Sequence, residues 1–167
     1  MAVSTTVYTP DMLVYRLART KWSDDLSGEG ARLHGGRWNQ TGIPCIYASE
    51  SRALALLEYT VNVGIDEIPR ALSMITLEIP DKKIYSAAIS EIPGNWRDSP
   101  APASTRDFGT ELLKSHLIIQ LPSAVLPEEN NFLINPLHKD IQWVKIISKT
   151  DFVYDLRIKT SIVKRQA

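Results

Sequence analysis

The chain reads as a single α+β domain. Three observations carry this: a series of short β-patterned segments, two helical segments set among them without a regular βαβα alternation, and a length of 167 residues, which suits one domain better than two. Such an order predicts helices packed on a mostly antiparallel or mixed sheet.

Taken in order, residues 13–17 are short and apolar between Asp11 and Thr20 and predict a first strand. Residues 20–44 differ. They hold Gly28, Gly30, Gly35, Gly36 and Gly42, five of the eight glycines, with little periodicity. A long glycine-rich loop in a compact domain is usually functional or disordered. Interleaved Trp22, Arg32, His34, Arg37, Trp38 and Asn39 favour an ordered binding loop. A short strand follows at 45–48. Ser49 or Ser51 then caps a helix running to about Asn62, with Leu54, Leu57 and Val61 facing the core. Residues 72–79 alternate, with Ser73, Ile75, Leu77 and Ile79 on one face, and form a strand that Pro80 ends. Residues 92–103, with Pro93, Gly94, Pro100 and Pro102, are irregular. Ser104 or Thr105 caps a second helix that turns Phe108, Leu112 and Leu113 inward. Residues 117–121, 132–134, 142–147 and 152–155 predict further strands.

Composition narrows the function. Hydrophobic residues make up 44% and charged residues 23%, as in an ordinary soluble globular protein. Lysine plus arginine number 19 and so do aspartate plus glutamate. A non-specific nucleic-acid binder needs a basic excess to displace counterions, and here only the tail at 159–165 is basic, so direct nucleic-acid binding is not expected. Cys45 is the single cysteine, which precludes an intrachain disulfide, and its apolar surroundings at 43–47 mark it as a core thiol rather than a nucleophile. The first residues show no basic run followed by an apolar core, and no apolar stretch approaches the ~20 residues of a membrane helix. The expected compartment is the cytoplasm, with no membrane association. There is no nucleotide P-loop, Gly-x-Ser-x-Gly or Cys-x-x-Cys, and His34, His116 and His138 are scattered, so no metal site is expected.

The informative stretch runs through residues 27–39, then 46–49, then Leu56-Leu57-Glu58. Gly35-Gly36 lets backbone approach an anionic ligand closely. Arg37 offers a planar donor fork suited to phosphate, and Trp38 and Tyr47 offer flat ring faces. Glu58 lies one residue past Leu57, at the edge of the helix's apolar stripe. That position suits a solvated surface residue, while the neighbouring arginine-bearing loop suits a catalytic one. The residues by themselves describe a pocket for a phosphate-bearing aromatic ligand with one candidate carboxylate.

An ordered series of separated motifs goes further. Val14-Tyr15-Arg16-Leu17, Ser27-Gly28-Glu29-Gly30-Ala31, Gly35-Gly36-Arg37-Trp38-Asn39, Tyr47-Ala48-Ser49 and Leu56-Leu57-Glu58 are followed by Pro93-Gly94-Asn95-Trp96, Leu121-Pro122-Ser123-Ala124, residues 130–133, Asn135-Pro136-Leu137-His138 and Tyr154-Asp155-Leu156-Arg157. From about residue 12 to 158 the chain resembles the RES family, which is named for an arginine, a glutamate and a serine. Arg37, Glu58 and Ser123 stand at the matching places, Tyr47 matches an implicated tyrosine, and Arg16 matches a second arginine. Asn62 departs from the pattern, since relatives often carry histidine there, and is not expected to touch the chemistry.

The resemblance implies an ADP-ribosyltransferase-like fold, a split mixed or antiparallel sheet core with flanking helices, gripping NAD in a cleft. NAD is implied as substrate, with no bound cofactor and no metal. The implied activity is cleavage of the nicotinamide–ribose bond by a toxin that depletes NAD and arrests growth. Its implied partner is a helix-turn-helix antitoxin that blocks the cleft in a hetero-oligomer. The implied catalytic residues are Glu58, Arg37, Tyr47 and Ser123. Glu58 would stabilise positive charge on the ribose. Arg37 and Arg16 would hold the pyrophosphate, Tyr47 would stack on nicotinamide or orient the ribose, and Ser123 would hydrogen-bond a ribose or position an arginine. Tyr15, Gly36, Trp38, Asn39, Asn135 and His138 complete the implied binding set, the last four of them divided between direct contact and support. Two alternatives stay open: transfer of ADP-ribose to a protein or metabolite, and a non-catalytic nucleotide-binding module.

Overall fold

A computed structural model describes residues 11–159. Residues 1–10, where no leader is expected, and the basic tail from residue 160 onward lie outside the described residues. Strand β1 (Met12–Arg19) leads through a short 3-10 turn (Thr20–Trp22) to α1 (Glu29–His34), then β2 (Ile46–Ser49), α2 (Arg52–Asn62), β3 (Leu72–Ile79), β4 (Ile84–Ser86), α3 (Ala103–Leu113), β5 (Ile118–Pro122), β6 (Asn130–Ile134) and β7 (Lys145–Phe152). The strands form one seven-stranded sheet in the order β4-β5-β6-β2-β1-β3-β7. It is antiparallel except for the β4–β5 pair, so the sheet is mixed, as expected of an α+β protein.

The sheet nearly comes apart in its middle. β1 pairs with β3 from Met12 to Arg19, yet meets β2 at the single register pair Tyr15↔Ser49. Beyond that pair the two strands diverge, and the opening between them is the cavity described below.

Alternation sorts the side chains onto two faces. Val14, Ala18, Ile46, Ala48, Ile75, Leu77, Phe132 and Ile134 form one continuous core. The opposite face carries two separate apolar clusters. Leu17, Leu72 and Met74 pack with Ala55 of α2 on one side. Ile119, Leu121 and Leu133 pack with Trp38, Trp96 and Leu113 on the other. Between these clusters, over the split, lies a strip of polar side chains.

Several expectations need correction. Helix α1 falls inside the stretch read as loop; it spans six residues, contains Gly30 and buries none of its residues, so no apolar stripe announces it. Strand β4 is three residues long and was not anticipated. Residues 145–152 form one edge strand rather than two segments, because its mostly exposed side chains give no alternating signal and a 3-10 turn occupies Ile141–Trp143. The cap of α2 is Ser51, whose Oγ accepts from the Leu54 N–H at 3.0 Å. Leu54 and Ala55 are buried there, while Val61 is half exposed. Helix α3 starts after Pro102 with no side-chain cap; Ser104 instead donates to Asn95 Oδ1 at 2.9 Å. Residues 72–79 form the predicted strand, closed by Pro80, but it is buried on both faces.

Among the described residues no helix is long and apolar enough to cross a membrane.

Candidate active site

Glu58 leaves the middle of α2 over the split in the sheet. Its Oε1 accepts two hydrogen bonds, from Ser123 Oγ at 2.7 Å and from Asn131 Nδ2 at 2.6 Å. No described residue donates to Oε2. The carboxylate is thus held by one oxygen and presents the other.

Both holders are themselves fixed. Ser123 is fully buried at the end of β5, and its Oγ accepts from the Val125 and Leu126 N–H groups, each at 3.1 Å. Its one O–H is therefore committed to Glu58, not to a ribose or an arginine. Asn131 Oδ1 accepts from Ser49 Oγ at 2.7 Å. A carboxylate only accepts, so the Asn131 amide nitrogen must face Glu58, its oxygen must face Ser49, and Ser49 must donate.

Two cavities meet at this carboxylate. One, of about 290 Å³, fills the split and is lined by Tyr15, Arg16, Gly28, Tyr47, Ser49 and Glu58 among others. The other, of about 950 Å³, runs beneath Gly35, Gly36, Arg37 and the first turn of α3 with Arg106. Glu58, Tyr47, Asn62 and Asn131 border both. Volumes of this order hold small-molecule ligands.

The arginines sit on the two lobes. Arg16 Nη1 donates to the Asp25 carbonyl at 3.1 Å, and burial lowers its pKa from the usual guanidinium value, partly offset by the nearby Asp25 charge. Arg37 Nη1 donates to the Trp96 and Asp98 carbonyls at 2.6 and 2.9 Å. That clamps the loop around residues 96–98 to the glycine-rich segment. The remaining Arg37 donors, Nε and Nη2, have no partner among the described residues. Tyr15 stacks beneath Arg52, whose guanidinium carbon lies 4.3 Å from the ring centroid, an exposed-rim cation–π pair.

Tyr47 is a brace. Its hydroxyl donates to Asn39 Oδ1 at 2.6 Å and accepts from the Trp38 N–H at 3.1 Å, and burial raises its pKa well above the ordinary phenol. Asn39, fully buried, donates through Nδ2 to the Ala31 and Ile43 carbonyls, both at 2.9 Å, and so ties α1 to the strand entry. Gly36 is required here: a Cβ would stand 2.5 Å from the Tyr47 hydroxyl and 2.8 Å from Asn39 Oδ1. Trp38 is buried in the core, stacked on Trp96 with centroids 6.0 Å apart. Asn39 therefore shapes the loop from behind, while Trp38 packs into the core and also borders the larger cavity.

Asn135 and His138 are not brought to this cleft. Asn135 Nδ2 donates to the Leu113 carbonyl at 2.6 Å and its Oδ1 accepts from the Leu137 N–H, while His138 Nδ1 accepts from the Asp140 N–H at 3.1 Å. Both line a separate depression with Pro44 and Lys114. A second carboxylate, Glu29, also reaches the smaller cavity, but Arg32 grips both its oxygens at 2.6 and 2.7 Å and lowers its pKa. Cys45 is buried, and burial pushes its thiol pKa far up, as befits a core residue. We expect Cys45→Ala to keep most activity at a cost of roughly 1–2 kcal/mol in stability; a folded but inactive variant would contradict this placement.

Ser49 and Asn131 fall within quoted motifs, at 47–49 and 130–133, but the sequence assigned neither a role in the site, and it did not mark Arg106 at all. Asn131 is the first buried polar residue before the apolar run 132–134, a pattern visible in sequence but silent about its partner. Asn62, set aside as remote from the chemistry, borders both cavities and donates to the Glu58 carbonyl at 2.8 Å.

A mixed sheet that splits at one strand pair, with a single anchored carboxylate over the opening and arginines on both lobes, defines a small α+β protein built around one cleft. The RES domain model matches residues 13–155. The chain is 38% identical over 146 residues to a "Prs ADP-ribosylating toxin" of Sphingobium, covering 84% of this chain and 91% of that protein. It is 38% identical over 152 residues to a "Toxin Res" of Photorhabdus laumondii, covering 88% and 97%. A "Toxin Res" of Yersinia enterocolitica is 37% identical over 152 residues, covering 89% and 100%. The fold is similar to a chain in the crystal structure of the M. tuberculosis MbcT–MbcA toxin–antitoxin complex, with a TM-score of 0.69 at 16% identity, over 90% of this chain and 88% of that one. The protein belongs to the RES-domain family.

Proposed function

We propose that the chain is the toxin of a toxin–antitoxin pair and that it cleaves NAD at the nicotinamide–ribose bond in the cytoplasm. The observation that carries this reading is the Glu58 carboxylate, anchored through Oε1 and open at Oε2, where the two cavities join.

Cleavage of this bond builds positive charge on the ribose, as in glycoside hydrolysis. An anchored carboxylate beside the anomeric carbon stabilises that charge without reorganising during the reaction. Nicotinamide is cationic in NAD and leaves neutral, so no general acid is needed and one carboxylate suffices. Oε2 also accepts a hydrogen bond from a ribose hydroxyl. Arg37, through Nε and Nη2, and Arg16 hold the pyrophosphate. Tyr47 keeps Gly36 and Trp38 in place so that the loop backbone lies close to the ligand.

The partner in this reading is an antitoxin, of helix-turn-helix type, that covers the cleft; the toxin names of the relatives and the toxin–antitoxin complex of the structural neighbour support an antitoxin partner, while its type and its place over the cleft follow from the family resemblance alone. A second reading, transfer of ADP-ribose to a protein, is supported by the name of the Sphingobium relative. Mass spectrometry of products separates the outcomes: free ADP-ribose, phosphorylated ADP-ribose or a modified protein. In cells, expression without antitoxin is expected to arrest growth while NAD falls; arrest at unchanged NAD would count against NAD cleavage.

Arg37→Ala is expected to weaken NAD binding roughly ten- to hundred-fold, since a hydrogen bond to a charged group contributes about 1.5–3 kcal/mol. Calorimetry beside a thermal melt checks it. The melt matters because the same substitution removes the clamp on Trp96 and Asp98. Unchanged affinity would remove Arg37 from the ligand site.

A further inference from the structure

We infer that Asn131, itself anchored by Ser49, is a positioning residue that sets the orientation of the Glu58 carboxylate. The inference rests on the proposed role of Glu58 and adds residues that lie outside the arginine–glutamate–serine signature.

The geometry is built into the sheet. Ser49 of β2 is the register partner of Tyr15 on β1 and of Asn131 on β6. This row of three crosses the sheet at the one point where β1 and β2 still pair, and all three side chains stand on the face that receives α2. The split therefore places a buried amide under the helix beside the residue that carries the carboxylate. Asn131 is 9% exposed and Ser49 3%, so each shows only a small part of its surface to the cavities it borders. Their polar atoms are matched to one another: Ser49 donates to Asn131 and Asn131 donates to Glu58, at 2.7 and 2.6 Å.

Ser123 and Asn131 divide the work on Oε1. One donor alone leaves the carboxylate free to swing about that bond. Two donors from different strands, β6 and the end of β5, fix the plane of the carboxylate and the direction of Oε2. A buried asparagine with no such task would be replaceable by an apolar residue at little cost to rate. Misplacement of a catalytic group by about 1 Å can cost 10²-fold.

The test is steady-state nicotinamide release from NAD by purified Asn131→Ala, Asn131→Asp and Ser49→Ala proteins, with Glu58→Gln as reference and thermal melts throughout. For Asn131→Ala we expect kcat to fall roughly 10- to 100-fold with KM within about 3-fold of wild type, because orientation rather than binding is lost. Ser49→Ala should show a smaller loss of the same kind. Asn131→Asp sets a second carboxylate where the amide nitrogen now stands. Two such groups share one proton, and the protonated aspartic acid can then donate to Glu58. Activity of Asn131→Asp relative to wild type should therefore rise as pH is lowered; a purely structural role leaves that ratio flat. If Asn131→Ala does not fold, Ser49→Ala and Asn131→Asp decide the question by the same readouts. Near-wild-type kcat in folded Asn131 variants beside an inactive Glu58→Gln overturns the positioning role alone, as does a loss seen only in KM or with a flat pH ratio. An active Glu58→Gln overturns the role of Glu58, and this inference with it.

Discussion

The Glu58→Gln protein is expected to fold, bind NAD and bind its antitoxin, yet release nicotinamide 10²–10³-fold more slowly, a loss of roughly 3–4 kcal/mol of electrostatic stabilisation. The geometry makes this a clean substitution. The glutamine oxygen can take the place of Oε1 and keep accepting from Ser123 Oγ and Asn131 Nδ2. Its amide nitrogen then takes the place of Oε2, which no described residue contacts. What changes is the charge of the group in the cleft, while the anchoring network stays intact. Melting temperature should move little. A glutamate with only a structural role would behave the other way, altering stability or altering nothing.

Gly109→Ala should have the largest effect on stability. A Cβ at Gly109 would stand 2.0 Å from the Trp38 carbonyl oxygen and 2.7 Å from the Trp38 Cβ. The obstruction is mostly backbone, so no rotamer change relieves it. Either α3 moves away from the glycine-rich segment or that segment shifts, and both disturb the packing of Trp38 against Trp96 and Phe108. Overpacking of this kind costs about 3 kcal/mol or more, roughly 6–12 °C of melting temperature for a chain of this size. The same displacement moves Arg37 and Gly36, so NAD binding should weaken along with stability. A melt within 2 °C of wild type would show that α3 and the Trp38 backbone do not meet as described.

The sequence carried much of the frame. The strand at 72–79 and the helix ending at Asn62 were legible because local patterns mark them: alternation closed by a proline, and a serine cap before apolar residues at helical spacing. The edge strand β7 was split in two because an exposed edge needs no alternation, and α1 was missed because six unburied residues carry no periodic signal. The site shows the same division. Glu58, Arg37 and Ser123 could be picked out by resemblance, but their relations could not. Nothing local says that Ser123 spends its proton on Glu58, that Arg37 clamps the backbone at 96–98, or that Trp38 belongs to the core. Asn131 and Ser49 gain meaning when strands far apart in sequence are laid side by side, a matter of register that one chain read alone does not display. Asn135 and His138 illustrate the converse: they share a motif series with the cleft residues yet brace another part of the molecule.

The most direct test of the central claim is made on the wild-type protein. Purified chain is incubated with NAD, free of antitoxin, and nicotinamide is followed by chromatography with mass detection, beside calorimetric titration with NAD. An enzyme of the proposed kind releases nicotinamide with multiple turnovers, in step with the loss of NAD. Saturable binding of NAD with no nicotinamide released under any acceptor condition, with water, phosphate or added protein, would contradict the account and leave a nucleotide-binding module in its place.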